Sequence, residues 1–244
     1  YNTYLIDDTK KAVDFDYMIL ECLRGENQHK EWPLDVKRDK KLCEETGYYL
    51  AKIHSVKTKG FGFFQNSIAK EKKLLVGYHN KWKKHIYASF TNNLDYLIKN
   101  KIILPADRKK IESIYLGRES LLKYDDPRLI HNDIADWNQL CQGNHVTAIL
   151  DWDECYSGDP VVDFSAWSVF FPYKRMEYLK QGYLKVSPLP EGFEEKLHFY
   201  RIRYIVSKAT LRTKRLLGNP SKQVQDMLDY ALKILREEFM WYGI

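Results

Sequence analysis

Leu129-Ile130-His131-Asn132-Asp133-Ile134-Ala135-Asp136-Trp137-Asn138, then a turn at Gln142-Gly143-Asn144, then Ala148-Ile149-Leu150-Asp151-Trp152-Asp153, decide how this chain is read. The pattern is H-x-D-x-x-x-x-N followed by an apolar strand closed by Asp. A loop after a short strand presents Asp133 at its tip. Asn138 sits where that loop re-enters a strand, and Asp151 ends the partner strand. An amide oxygen and a carboxylate from adjacent strands can share one Mg²⁺, a hard cation that takes oxygen ligands and keeps waters or phosphate oxygens for the rest. Asp133 is then free to accept a proton from an attacking hydroxyl. This is a layout for phosphoryl transfer, where positioning and charge neutralisation supply most of the catalysis.

The charge around this stretch is uneven. The chain of 244 residues carries a net +6, yet Leu129 through Tyr173 contains no Lys or Arg. That segment holds Asp133, Asp136, Asp151, Asp153, Glu154, Asp159 and Asp163, so it carries −7 and the remainder +13. Converging carboxylates repel unless something positive sits among them, a metal ion or a cationic ligand. The alternative is a solvated acidic surface loop. The basic remainder is mostly Lys on helical patterns and reads as solvated helix faces rather than a nucleic-acid patch.

Composition sets the frame. With 44% hydrophobic residues, 12 Gly and 8 Pro, the chain is globular and neither disordered nor repetitive. Its longest uncharged apolar stretch runs from Phe164 to Tyr173, well short of the roughly 18 residues that span a bilayer, so no membrane partner is expected. Cys22, Cys43, Cys141 and Cys155 show no CxxC spacing and read as reduced thiols in a cytoplasmic chain. No basic segment followed by an apolar one is visible in the first residues, so no signal peptide is expected. His29, His79, His85, His145 and His198 have no metal-ligand spacing, and His54 reads as structural.

Outward from the central stretch, residues 1–23 read as strand, polar turn and strand, ending at Arg24-Gly25. Residues 26–34 form a polar connector with Trp32-Pro33. The period then changes to 3.6. One helix is expected over about residues 35–56, a second through Trp82, Ile86, Phe90, Leu94 and Leu97, and a third from Pro105 as far as Leu122. Gly60-Phe61-Gly62 reads as a loop. Beyond Pro160, helices are expected over about 161–170, 173–184, 192–216 and 220–241, with Gly218 closing one and Pro220 opening the next. Trp167, Phe170 and Phe171 read as core rather than a substrate platform. The fold class is α+β, a β-hairpin followed by a mostly helical body with a small β insert.

These segments together resemble the aminoglycoside phosphotransferase (APH) family of protein-kinase-like small-molecule kinases. Met18-Ile19-Leu20-Glu21-Cys22-Leu23-Arg24-Gly25 is similar to the hinge between the family's two lobes. Tyr49-Leu50-Ala51-Lys52-Ile53-His54 with Gly60-Phe61-Gly62 is similar to its helix-and-loop signature, and Gly158-Asp159-Pro160-Val161-Val162-Asp163 follows in the family's order. The resemblance implies residues 1–25 as the end of an N-terminal lobe with its hinge, and 26–244 as a C-terminal lobe. In that lobe the catalytic insert spans about 128–163, and helical acceptor regions span about 60–122 and 164–244. It implies Asp133 as catalytic base, Asn138 and Asp151 as Mg²⁺ ligands, and the Glu21 C=O and Leu23 N–H as groups facing the adenine of ATP. GTP is not distinguished from ATP, because the hinge contacts are backbone groups. His131 and Asp163 would brace the catalytic loop from behind.

Two departures from the family's pattern bear on function. Asp136, Asp153 and Glu154 are extra acids that either recognise a cationic acceptor, such as an aminoglycoside, or are solvated. No Gly-rich loop and no phosphate-gripping Lys precede the hinge, since Lys10 and Lys11 lie in the hairpin turn. The chain is therefore expected to begin in the last hairpin of its N-terminal lobe and, alone, to be inactive or weak. The expectation is a Mg-ATP-dependent kinase acting on a hydroxyl of a small molecule. The alternative is a kinase-like binding protein without activity. A metal-dependent phosphohydrolase ranks below both, needing more clustered ligands than one Asn and one Asp.

Overall fold

The computed structural model describes residues 2–28, 35–170 and 173–244. Tyr1, most of the polar connector including Trp32-Pro33, and Phe171 lie outside the described residues.

An antiparallel hairpin of β1 (Thr3–Asp7) and β2 (Tyr17–Leu20) opens the chain. β3 (Glu26–Asn27) pairs with β7 (Gln139–Gln142), which pairs with β8 (His145–Ile149), giving a three-stranded sheet in the order β3-β7-β8. A second sheet has the order β5-β4-β9-β6, from β5 (Gly77–His79), β4 (Phe61–Phe64), β9 (Tyr156–Gly158) and β6 (Arg128–Ile130). This arrangement positions the site. The chain leaves one sheet at β6 and enters the other at β7 through residues 131–138. It crosses back from β8 to β9 through residues 150–155.

The helices form the body: α1 (Val36–His54), α2 (Asn66–Lys72), α3 (Trp82–Tyr87), α4 (Phe90–Lys99), α5 (Pro105–Gly117), α6 (Val161–Phe170), α7 (Tyr173–Tyr183), α8 (Phe193–Gly218) and α9 (Lys222–Trp241). Local chemistry starts several of them. The Asp35 carboxylate accepts from the backbone N–H groups of Lys37 and Arg38, capping α1. Pro105 occupies the first turn of α5, where its missing N–H costs nothing, and Asp107 accepts from Leu104 N at 2.9 Å. α8 packs on α6, α9 and α4 and carries the centre of the core, with Phe199, Tyr200, Ile202 and Ile205 buried. Burying side chains of this size contributes about 1.5–3 kcal/mol each.

α1 and α7 lie against each other at glycines. A Cβ on Gly47 would stand 2.0 Å from the Leu179 carbonyl oxygen, and one on Gly182 would stand 1.8 Å from that of Glu44. Backbone cannot move aside as a side-chain tip can, so the approach requires glycine on both helices. Gly182→Ala is expected to cost about 2–3 kcal/mol by forcing α7 outward. A denaturant titration checks it, the midpoint falling with the slope unchanged.

Four expectations need correction. Phe61 and Gly62 begin the strand β4 rather than a loop, with Gly60 as the bend before it. The two glycines read as a breaker, but the β4 backbone pairs with β5 and β9 on both sides. The helix expected through Trp82 to Leu97 is two helices, because Ser89 leaves helical geometry (φ −124°, ψ 0°) while the apolar spacing runs on across the break. Leu122 is not in α5 but in a following 3-10 turn over Glu119–Leu122. β9 had no strand signal of its own. Pro220 precedes the cap, which is Ser221, and Gly218 is the last residue of α8 rather than its cap.

Candidate active site

The two crossings between the sheets run side by side and are tied together. Leu150 N donates to Asn138 O at 2.8 Å, and His131 Nε2 meets Leu150 O at 2.9 Å. His131 is wholly buried and uses both ring nitrogens. With Nε2 donating to that carbonyl, Nδ1 accepts from Asp133 N at 3.3 Å, so the imidazole acts as a spacer inside the loop. Behind the loop Asp163, fully buried on α6, accepts from His131 N at 2.9 Å, Asn132 N at 2.6 Å and His54 Nε2 at 2.9 Å. Asn132 has a left-handed backbone (φ +66°), and the Asp163 carboxylate grips its N–H.

Asp133 is presented at the loop tip. Its Oδ2 accepts from Asn138 Nδ2 at 3.0 Å, and the same amide also donates to the Asp133 main-chain oxygen at 2.8 Å. The Asn138 amide is thereby oriented with its NH₂ toward Asp133. On the other side Oδ1 accepts from Tyr204 Oη and from Lys208 Nζ, each at 3.2 Å. Burial, and then the charge of Asp133, push the Tyr204 hydroxyl well above its ordinary range, so it stays a donor.

Asp151 lies on the returning crossing, exposed, with a left-handed backbone (φ +63°) that is uncommon for a residue with a Cβ. Among the described residues neither it nor Asp153 has a hydrogen bond or ion pair. Asp151 and Asp153 line a cleft of about 370 Å³ together with Met18, Leu20, Glu21 and Leu23 of the hairpin and its exit. Glu21 N donates to Asn2 O at 2.8 Å. A larger cavity of about 580 Å³ beside β8 shares Leu23 and Trp152 with this cleft. It has no carboxylate in its walls, whereas the smaller cleft has Asp151 and Asp153.

The oxygen donors suit Mg²⁺. Asn138 offers an amide oxygen and Asp151 an unpaired carboxylate on neighbouring segments, and this cation needs only one or two carboxylates beside waters and phosphates. Among the described residues no group of three or more His, Cys, Asp or Glu is arranged to hold a metal.

Asp136 requires correction as an acceptor contact. It is buried, and its Oδ2 accepts from Arg175 Nη2 at 2.9 Å, with Asp39 at 2.9 Å from Arg175 Nε on the far side. A carboxylate so enclosed serves the packing of α1, α7 and the loop. The counter-charges absent from the acidic stretch arrive from elsewhere. Arg175 meets Asp136, Lys196 meets Asp159 at 2.9 Å, and Lys208 meets Asp133 and Glu154, while Asp163 is hydrogen-bonded to His54.

The family profile described as APH, phosphotransferase enzyme family, matches residues 4–185. The chain belongs to this family. Among curated proteins it is similar to a probable ketoamine kinase of Synechocystis sp., 29% identical over 108 residues. That match takes in 44% of this chain and spans only about a third (34%) of the relative's length. Among solved structures it is similar to a thermostable mutant of aminoglycoside phosphotransferase APH(4)-Ia in ternary complex with ADP and hygromycin B, with a TM-score of 0.67 and 16% identity over 96% of this chain and 75% of that one. The streptomycin–ATP–APH(2")-IIa ternary complex gives 0.55 at 17% identity, covering 92% and 72%. Macrolide 2'-phosphotransferase MphH from Brachybacterium faecium gives 0.52 at 18%, covering 89% and 69%. Likeness at these identities shows the fold, which is protein-kinase-like and α+β. No helix of the described residues is long and apolar enough to cross a membrane.

Within this phosphotransferase-family chain, Tyr204 and Lys208 contact Asp133 but carry no motif in the sequence. Their signal was indirect. They lie four apart on α8 and so share one face, and an acidic stretch with no cation of its own needed cations from outside.

Proposed function

We propose that the protein transfers the terminal phosphoryl group of Mg-ATP to a hydroxyl of a small molecule. One observation carries the reading: Asp133 is held at a loop tip by Asn138, Tyr204 and Lys208, and the crossing that bears Asp151 is bonded directly to Asn138. The hairpin through residue 25 serves as the end of a nucleotide lobe with its hinge, and residues 26–244 form the acceptor lobe. The Glu21 C=O and Leu23 N–H face the base, and such backbone groups accept ATP or GTP. Bound Mg²⁺, held by Asn138 and Asp151, supplies neutralisation of the phosphate charge.

The chain's own residues do the rest. The acceptor hydroxyl donates to Asp133, which orients it and takes its proton. Asn138 and Tyr204 fix the carboxylate so that it does not swing with each turnover. His131 and Asp163 position the loop and touch no substrate. The ATP-bound and aminoglycoside-bound relatives support a nucleotide donor and a small acceptor. Asp136 is paired to Arg175 and Glu154 to Lys208, and Asp153 lines the cleft beside the hinge, so these three acids do not require a cationic acceptor.

Asp151→Asn tests the metal role. Removing the one charged protein ligand is expected to raise the Mg²⁺ concentration for half-maximal nucleotide binding by at least about tenfold. Calorimetric titration of the protein with ATP at graded Mg²⁺ reads this. An unchanged Mg²⁺ requirement removes Asp151 from the metal site, and no nucleotide binding in the parent protein would favour the non-catalytic kinase-like reading instead.

A further inference from the structure

In the scheme above Lys208 only helps to hold Asp133, and Glu154 has no task beyond pairing with Lys208. Lys208 reaches in from α8 with its Nζ 2.9 Å from both Glu154 carboxylate oxygens and 3.2 Å from Asp133 Oδ1. Glu154 is itself tied to the loop, accepting from Asn132 Nδ2 at 3.2 Å. The Lys208 side chain is only 13% exposed, whereas that of Glu154 is 40% exposed. An ion pair serving stability alone would need Glu154 and nothing more. The contact with Asp133 is different in kind, because it places the ammonium against the carboxylate that receives the acceptor hydroxyl in the proposed reaction. Such an arrangement makes chemical sense where the cation also meets negative charge that develops in the reaction.

Phosphoryl transfer develops that charge on the oxygens of the group in transit. The group becomes bonded to the hydroxyl oxygen that donates to Asp133, and such an oxygen lies about 2.7 Å from the carboxylate. The ammonium and the incoming group therefore approach the same carboxylate from adjacent sides. Glu154 holds Lys208 by two contacts even when Asp133 is engaged with an acceptor.

We propose that Lys208 is a catalytic residue that contacts the phosphoryl group as it passes to the acceptor, and that Glu154 is the positioning residue holding it there. This rests on the phosphotransferase reading. In the step, the acceptor O–H proton goes to Asp133 and the O–P bond forms. The bond from the terminal phosphorus to the bridging oxygen breaks, its electron pair leaving on ADP. Lys208 remains an ammonium throughout. Glu154 is thereby reassigned from acceptor recognition to the support of Lys208.

The test compares binding of Mg-ADP with binding of Mg-ADP plus aluminium fluoride, a mimic of the group in transit, by calorimetry. The parent protein is expected to bind the mimic complex at least about a hundredfold more tightly than Mg-ADP. Lys208→Met is expected to lose about a hundredfold of that preference, with Mg-ADP affinity nearly unchanged. Glu154→Gln keeps the ammonium but loosens it and is expected to lose about tenfold. Thermal melts of each variant report folding. Should Lys208→Met not fold, Lys208→Arg, which keeps the charge in a different shape, and Glu154→Gln carry the test. A full preference for the mimic in the folded variants overturns the proposal, and so does equal weakening of both ligands. A parent protein that binds Mg-ADP without preferring the mimic, or binds neither, contradicts the phosphotransferase reading itself and the assignment of Lys208 with it.

Discussion

Asp133→Asn is expected to slow phosphoryl transfer by about a thousandfold, within the range that a positioned general base contributes. Asn has the same shape and still accepts from Tyr204, so the acceptor pocket keeps its form. It cannot take a proton from the acceptor. The fold should tolerate the change to within about 1 kcal/mol, because Lys208 retains both Glu154 contacts and Asn138 retains its bond to the Asp133 main-chain oxygen. Initial rates and a thermal melt on the same preparation separate the two effects. A stable variant with near-parental turnover would remove Asp133 from the chemistry.

The second large effect falls on stability. Asp163→Ala deletes the acceptor of three buried hydrogen bonds, from His131 N, Asn132 N and His54 Nε2, and leaves two backbone donors and an imidazole without a partner. Removing one side of a buried charged network costs about 3–5 kcal/mol. For a chain of this size that lowers the melting temperature by about 10 °C. Asn132 is held in a left-handed conformation by the same carboxylate, so loop and activity should fail with it. Asp163→Asn keeps one accepting oxygen and is expected to lose about half as much stability. A melt of the Ala variant close to that of the parent would show that the loop is held by other contacts.

The distribution of these groups explains what could be read in advance. Asp133, Asn138 and Asp151 were legible because a loop and a hairpin fix their relation locally, within 19 residues. The helices from Val161 onward were legible because their apolar residues recur at helical spacing over many turns. β4 and β9 were not, being four and three residues long and too short for alternation to register. Asp136 looked like a site acid because its partner, Arg175, comes from α7, 39 residues on. Lys208 was invisible for the same reason at longer range, 75 residues from Asp133. Local spacing carries the identity of a reacting group, whereas the charges that tune it come from tertiary packing.

The acidic insert changes meaning accordingly. Seven carboxylates without a neighbouring cation in sequence suggested a metal or a cationic acceptor. In the folded chain Asp133, Asp136, Glu154, Asp159 and Asp163 are met by the protein's own Lys, Arg and His. Asp151 and Asp153 remain facing the cleft beside the hinge, where a nucleotide's metal is proposed to sit.

The most direct measurement of the central claim is phosphorus NMR of the protein with Mg-ATP and a panel of hydroxyl acceptors that includes aminoglycosides, macrolides and ketoamine sugars. The predicted result is loss of the terminal phosphate resonance with formation of ADP and, for at least one acceptor, a new phosphomonoester in equal amount. Binding of Mg-ATP with no phosphomonoester from any acceptor would contradict it.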